Sequence, residues 1–315
     1  MIALSFSHSE AALRLENPLT QVINELLHIH SLRDSPRLRS GQALDFVHSP
    51  ALCGVVHFAR NDNAKIMKYI FGNWKMYLDY NQSVDLINKL SPEIFDSKKV
   101  AVAVFPNELV FARAAEAFSG SVISVGAQNV NWAPLGAYTG ATSAHLFKQA
   151  GAEYSLVGHS ERRYIFGETN DDVRKKVEAC FDAGLVPVVC VGETAEDLES
   201  GKREYRLKKQ MMKVFEGLDL TRNRILIAYE PVWAISGSGE GQPCAPADCE
   251  DAHGWIKNEL KQYTDADVKV LYGGSVKPDN VLSYLSLETV DGVLAGGAST
   301  KFDSLMALIH LAEQL

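Results

Sequence analysis

No apolar run in the 315-residue sequence approaches the roughly 18 residues that a membrane-spanning helix needs, so no such span is expected. Basic residues are not in excess either: 31 Lys and Arg stand against 39 Asp and Glu, for a formal charge of −8. That balance argues against broad binding of nucleic acid or of an anionic membrane. It leaves room for a small anion, because local lysines and backbone N–H groups can override net charge. Cysteine is scarce. Cys53, Cys180, Cys190, Cys244 and Cys249 form no CxxC pair and no dense framework, which fits reduced thiols in a cytoplasmic protein. No basic start followed by an apolar core marks a secretory signal. Glu10, Glu16, Glu25, Asp34 and Asp45 are too many acids for a transit peptide.

What is present is the make-up of an ordinary globular protein, 46% hydrophobic and 22% charged. The length allows one large domain or two small ones. Residues 1–66 stand apart, with several histidines, clusters such as SLRDSPRLRSGQ and no sustained alternation of strand and helix patterns. Two readings remain for this N-terminal extension: a mis-called start, with translation beginning at Met67, or a disordered tail. The second unit is expected to span 67–315.

From Lys68 onward the pattern is regular. Apolar, β-rich runs occur at 69–73, 100–106, 122–129, 154–159, 186–193, 225–230, 268–274 and 291–297. They are nearly continuous in Val, Ile and their like, as expected when both faces of a sheet are covered. Helical periodicity separates them, at 83–95, 108–118, 143–151, 171–184, 196–218, 248–263, 279–286 and 304–315, with pairs such as Val173 and Val177 four apart. Eight strand–helix units in about 250 residues fit a closed (β/α)8 barrel, an α/β fold, better than an open doubly wound sheet. Polar and glycine-rich residues sit after the strands, and a barrel gathers all strand C-termini on one face. One site is therefore expected there.

The strand ends carry the candidate chemistry. Gly273-Gly274-Ser275 and Gly296-Gly297 follow the last two strands, where glycine admits close backbone approach and helix starts offer N–H groups to a phosphate. Simple strand-to-helix turns are the alternative. Lys75 can supply a fixed charge to a phosphate or oxyanion, act as a Schiff-base nucleophile, or be an ordinary surface lysine. Asn73 can donate a hydrogen bond into the same space. His159 opens a short helix whose dipole favours neutral imidazole, suited to proton shuttling, unless it is structural. Glu230 ends a buried strand, where desolvation makes a carboxylate a stronger base; a helix cap or a salt bridge is the plainer role. Pro231 stiffens the exit from Glu230, Trp233 and Ile235 can pack, and Gly237, Gly239 and Gly241 allow hinging. That is the composition of a lid.

Taken together, GNWKM (72–76), AQN (127–129), GAYTG (136–140), GHSERR (158–163), AYEPVWAI (228–235), YGGSV (272–276) and DGVLAGGAS (291–299) resemble the triosephosphate isomerase family, in its order and over essentially all of 67–315. The resemblance implies an aldose–ketose isomerase of glycolysis and gluconeogenesis, acting on dihydroxyacetone phosphate and glyceraldehyde 3-phosphate without metal or organic cofactor. It implies Glu230 as the base, neutral His159, Lys75 and Asn73 as stabilisers of an enediolate, and Glu161 behind them. Ser275, Gly296, Gly297 and a lid N–H from Ser236 or Gly237 would hold the phosphate. It also implies a homodimer through the loop around Thr139.

Three departures stand out. The lid reads Ile-Ser-Gly-Ser-Gly-Glu where the family has Ile-Gly-Thr-Gly-Lys, Ala141 replaces the family's usual Glu, and residues 1–66 have no counterpart. A Schiff-base aldolase using Lys75 and a catalytically silent phosphate-binding barrel are the rival readings.

Overall fold

A computed structural model describes residues 67–235 and 243–315. The expectations for residues 1–66 and for Ser236 and Gly237 lie outside the described residues. Eight parallel strands form a closed barrel in sequence order: β1 (Lys68–Asn73), β2 (Val100–Phe105), β3 (Ile123–Ala127), β4 (Tyr154–Val157), β5 (Val186–Val191), β6 (Leu226–Tyr229), β7 (Lys269–Tyr272) and β8 (Gly292–Ala295). Each falls inside a run expected from sequence or one residue beyond it. Pairing of Tyr69 with Gly292 and of Ile70 with Val293 closes the ring.

Strand alternation divides the apolar residues into two layers. Tyr69, Phe71, Ala103, Phe105, Tyr154, Leu156 and Leu226 fill the barrel, while Ile70, Val102, Val104 and Val125 face the helices. Inside, the Phe71 ring lies 5.6 Å from Phe105 and 4.8 Å from Tyr154.

The α-helices that follow the strands are α1 (Tyr80–Leu90), α2 (Phe111–Ala117), α3 (Ala144–Gln149), α4 (Ser160–Tyr164), α5 (Asn170–Ala183), α6 (Ala195–Glu199), α7 (Arg203–Phe215), α8 (Pro246–Leu260), α9 (Val281–Leu285) and α10 (Phe302–Glu313). Local chemistry sets their ends. Asp79 and Gln82 form a capping box that starts α1 ahead of the expected Ser83, and α1 stops before Ser91-Pro92. The charged stretch 196–218, read from sequence as one helix, is two. Thr194 and Asp197 cap α6 reciprocally, Ser200 ends it, and Gly201 at φ 67° turns the chain before α7. No helix among the described residues is long and apolar enough to cross a membrane.

Candidate active site

The strand C-termini open onto a cavity of about 740 Å³. Asn73, Lys75, His159, Glu230, Ser275, Gly296 and Gly297 all line it, so every described residue expected to touch a ligand is brought to one place. Each is held there by the fold in a definable way.

Asn73 is the last residue of β1. Its Oδ1 accepts the Lys75 N–H at 3.0 Å, turning the chain so that Lys75 adopts φ 49°. Lys75 Nζ then donates to Glu161 Oε1 at 2.8 Å, an arrangement that holds a cation. Glu161 thus pairs with Lys75.

His159 directly precedes α4 and acts as its N-cap. Its Nδ1 accepts the Glu161 backbone N–H at 3.2 Å. A ring nitrogen that accepts carries no proton, so the remaining proton of a neutral ring sits on Nε2. That nitrogen lies 3.3 Å from Glu230 Oε1.

Glu230 follows β6 and is only 2% exposed. Its backbone N–H donates to Val191 O at 2.8 Å, and its Oε2 accepts the Ser160 N–H at 2.8 Å. Oε1 has no hydrogen-bond partner among the described residues. One oxygen is held by a backbone N–H, and the other faces His159 Nε2.

Glycine makes this approach possible. A Cβ on Gly192 would come within 1.8 Å of the Glu230 carbonyl oxygen, and one on Gly273 within 2.8 Å of Glu230 Cγ. The first glycine pair therefore answers to protein packing: Gly273 makes way for Glu230, and Gly274 for the Tyr272 hydroxyl, which a Cβ would meet at 2.2 Å. The second pair differs. A Cβ on Gly296 would make only ordinary contact with Lys75 Cε at 3.6 Å, and one on Gly297 would meet open space. Packing against the protein does not account for this second pair.

Two residues that carry weight in the site were given no role from sequence. Glu193 is fully buried, and its Oε1 accepts from the Tyr229 hydroxyl at 3.0 Å and from Trp233 Nε1 at 2.9 Å. Its carbonyl takes the Val232 N–H at 3.0 Å, so the 3₁₀ turn Val232–Ala234 beyond Glu230 is anchored to the end of β5. Burial, with the Glu193 carboxylate beside it, pushes the Tyr229 hydroxyl pKa far up, so it stays a donor. Gln128 donates to the carbonyls of Lys75 and Phe105 at 2.8 and 2.9 Å. The available signal was a polar residue directly after a continuous apolar strand.

Tyr77, Lys277, Asp279 and Lys301 also line the cavity, whereas several other titratable groups lie apart from it. Arg162 pairs with Glu168 at 3.3 Å, and Lys176 bonds both Glu168 and Asn129. Burial drives the Cys190 thiol well above its ordinary pKa, which makes it inert. Among the described residues no group of three or more His, Cys, Asp or Glu side chains is placed to hold a metal ion.

Comparison with known proteins identifies the family. A family model described as triosephosphate isomerase matches residues 68–312. Among curated relatives, the triosephosphate isomerase of Citrifermentans bemidjiense is 40% identical over 250 residues, covering 78% of this chain and 98% of that protein. That of Francisella philomiragia is 39% identical over 254 residues, with 79% and 99% covered. That of Rubrobacter xylanophilus is 39% identical over 246 residues, with 76% and 95% covered. The chain belongs to the triosephosphate isomerase family.

Proposed function

We propose that the protein interconverts dihydroxyacetone phosphate and D-glyceraldehyde 3-phosphate through an enediolate. One observation carries the reading: Oε1 of Glu230 and Nε2 of His159 stand 3.3 Å apart on the wall of a cavity that also holds Lys75 beside Gly296. A carbonyl compound bound there meets a base, a hydrogen-bond donor and a cation together.

Glu230 removes the carbon-bound proton next to the carbonyl and leaves its parked hydrogen bond to Ser160 to do so. Charge develops on oxygen. His159 Nε2–H donates to that oxygen and moves the proton between the two substrate oxygens, while Lys75 and Asn73 stabilise the anion. Glu230 then returns its proton to the neighbouring carbon, so no atom is gained or lost. Glu161 fixes Lys75 from behind. Ser275, Gly296 and Gly297, with Ser236 or Gly237 from the lid, hold the phosphate through N–H groups. A closed lid excludes water and suppresses loss of phosphate from the enediolate.

The protein acts as a homodimer in the cytoplasm. Support for the dimer comes from large apolar side chains left exposed on loops after β1, β3 and β4, among them Met76, Leu135, Tyr138, Ile165 and Phe166. The loop carrying Thr139 and Ala141 keeps its base tied, with Asn131 N–H on Thr142 O at 2.8 Å. The reduced, buried thiols of Cys180, Cys190, Cys244 and Cys249 suit that compartment. The isomerase unit is 67–315.

A coupled assay on the purified chain tests the reading. Glu230→Asp withdraws the carboxylate by about 1 Å and should cost roughly 100-fold in turnover. Full turnover in that variant would exclude Glu230 as the base. A borohydride-trapped adduct at Lys75 would point to the Schiff-base aldolase instead.

A further inference from the structure

Lys75 is the one non-glycine residue with a positive φ among the described residues, at 49°. The left-handed region is unfavourable for a residue that carries a Cβ, so the surroundings must hold it there. Asn73 Oδ1 takes its N–H at 3.0 Å, and Glu161 takes Nζ at 2.8 Å. Neither restrains the peptide that leaves Lys75.

Gln128 does. Its Nε2 gives one hydrogen to Lys75 O at 2.8 Å and the other to Phe105 O at 2.9 Å. Two carbonyls face the amide, so only its NH₂ side fits, and both of its hydrogens are used. Phe105 O also receives the Trp74 N–H at 3.1 Å. A single side chain after β3 therefore fastens the end of β2 and the loop after β1 to one another.

We propose that Gln128 is a positioning residue for the isomerisation. It locks the left-handed peptide at Lys75 so that Nζ stays between Glu161 and Gly296, where the substrate's charge develops. Removing the amide leaves the lysine in the protein but frees its backbone to relax into the ordinary right-handed or extended regions. The amine then spends less time in place. This inference rests on the role given to Lys75 above.

A double-mutant cycle with Gln128→Leu and Lys75→Met, read by kcat/KM on triose phosphate, separates positioning from general structural support. Gln128→Leu should lower kcat/KM by about tenfold, the scale of a left-handed residue's backbone preference. It should weaken competitive inhibition by inorganic phosphate by a similar factor, since the same amine serves both. Added to Lys75→Met, it should change kcat/KM by less than about twofold, because the group it positions is already gone. The same tenfold loss in both backgrounds, or wild-type kinetics in the single variant, overturns the inference. If Gln128→Leu does not fold, Gln128→Met, with the same unbranched reach and no amide, carries the same cycle. A wild-type chain without isomerase activity defeats the functional reading itself, whereas an active wild type with multiplicative losses defeats only the role of Gln128.

Discussion

The two ends of the barrel treat buried polar groups differently. At the end where the strands begin, charges are paired. Lys68 donates to Val290 O at 2.7 Å, and Asp291 takes both the Val270 N–H and Lys257 Nζ at 2.8 Å. Arg224 reaches the hydroxyls of Tyr69 and Tyr154 at 3.3 and 3.5 Å. At the end where the strands finish, Glu230 Oε1, Glu193 Oε2 and the Tyr272 hydroxyl are buried without a hydrogen-bond partner among the described residues. An unsatisfied buried group costs free energy. Among the described residues, polar pairing is denser where the strands begin than where they finish. Other buried atoms without a hydrogen-bond partner lie away from the cavity lining: Trp74 Nε1, Glu168 Oε1, Glu259 Oε1, and His253 Nε2 and Thr289 Oγ1, the last two on residues that already meet through His253 Nδ1 and Thr289 O at 3.3 Å.

The contrast can be broken at either end. Lys75→Met should lower kcat/KM by about a thousandfold, the scale for removing one oxyanion-stabilising group, and leave the thermal midpoint nearly unchanged. Steady-state kinetics beside a melt would check both halves. Phe71→Ala, inside the barrel, should do the reverse. It should cost about 3 kcal/mol or more in urea unfolding while the folded fraction keeps its turnover. Asp291→Ala should cost about 2 kcal/mol, because it strips Lys257 and the Val270 N–H of their acceptor and leaves the catalytic end untouched.

The last effect is a slope, small over any single pH unit. Burial holds the His253 imidazole down at about 3, against 6.5 for the unfolded chain. The unfolded state therefore takes up a proton that the folded state refuses. This contribution to stability is intact above about pH 6.5 and is lost by about 1.4 kcal/mol per pH unit as the pH falls toward 3. His253→Leu should flatten that acid limb. An unchanged limb in urea titrations across pH would show that other groups control it.

Much of the fold was legible because strands covered on both faces need nearly continuous apolar runs, and VAVAVF or VPVVCV can hardly serve elsewhere. Residue types in the site were legible for a related reason: a carboxylate, a histidine or a lysine directly after such a run sits at the barrel mouth. What sequence did not disclose is which strand end bonds which. Glu230 rests on Ser160 and Gln128 on Lys75, contacts between separate units that exist only once the ring has closed in register. The break between α6 and α7 was hidden differently. Charged residues continue the helical pattern on both sides of it, while Asp197 caps α6 and also binds Arg206 at 2.8 Å.

Pairing of β1 with β8 has a bearing on biosynthesis. The earliest strand of the barrel to leave the ribosome cannot find one of its two neighbours until nearly the whole chain has been made. Until then a bare, apolar border waits in a crowded cell, inviting association with other nascent chains. Ribosome stalling just ahead of Gly292 should therefore yield insoluble product far more readily than release of the finished polypeptide.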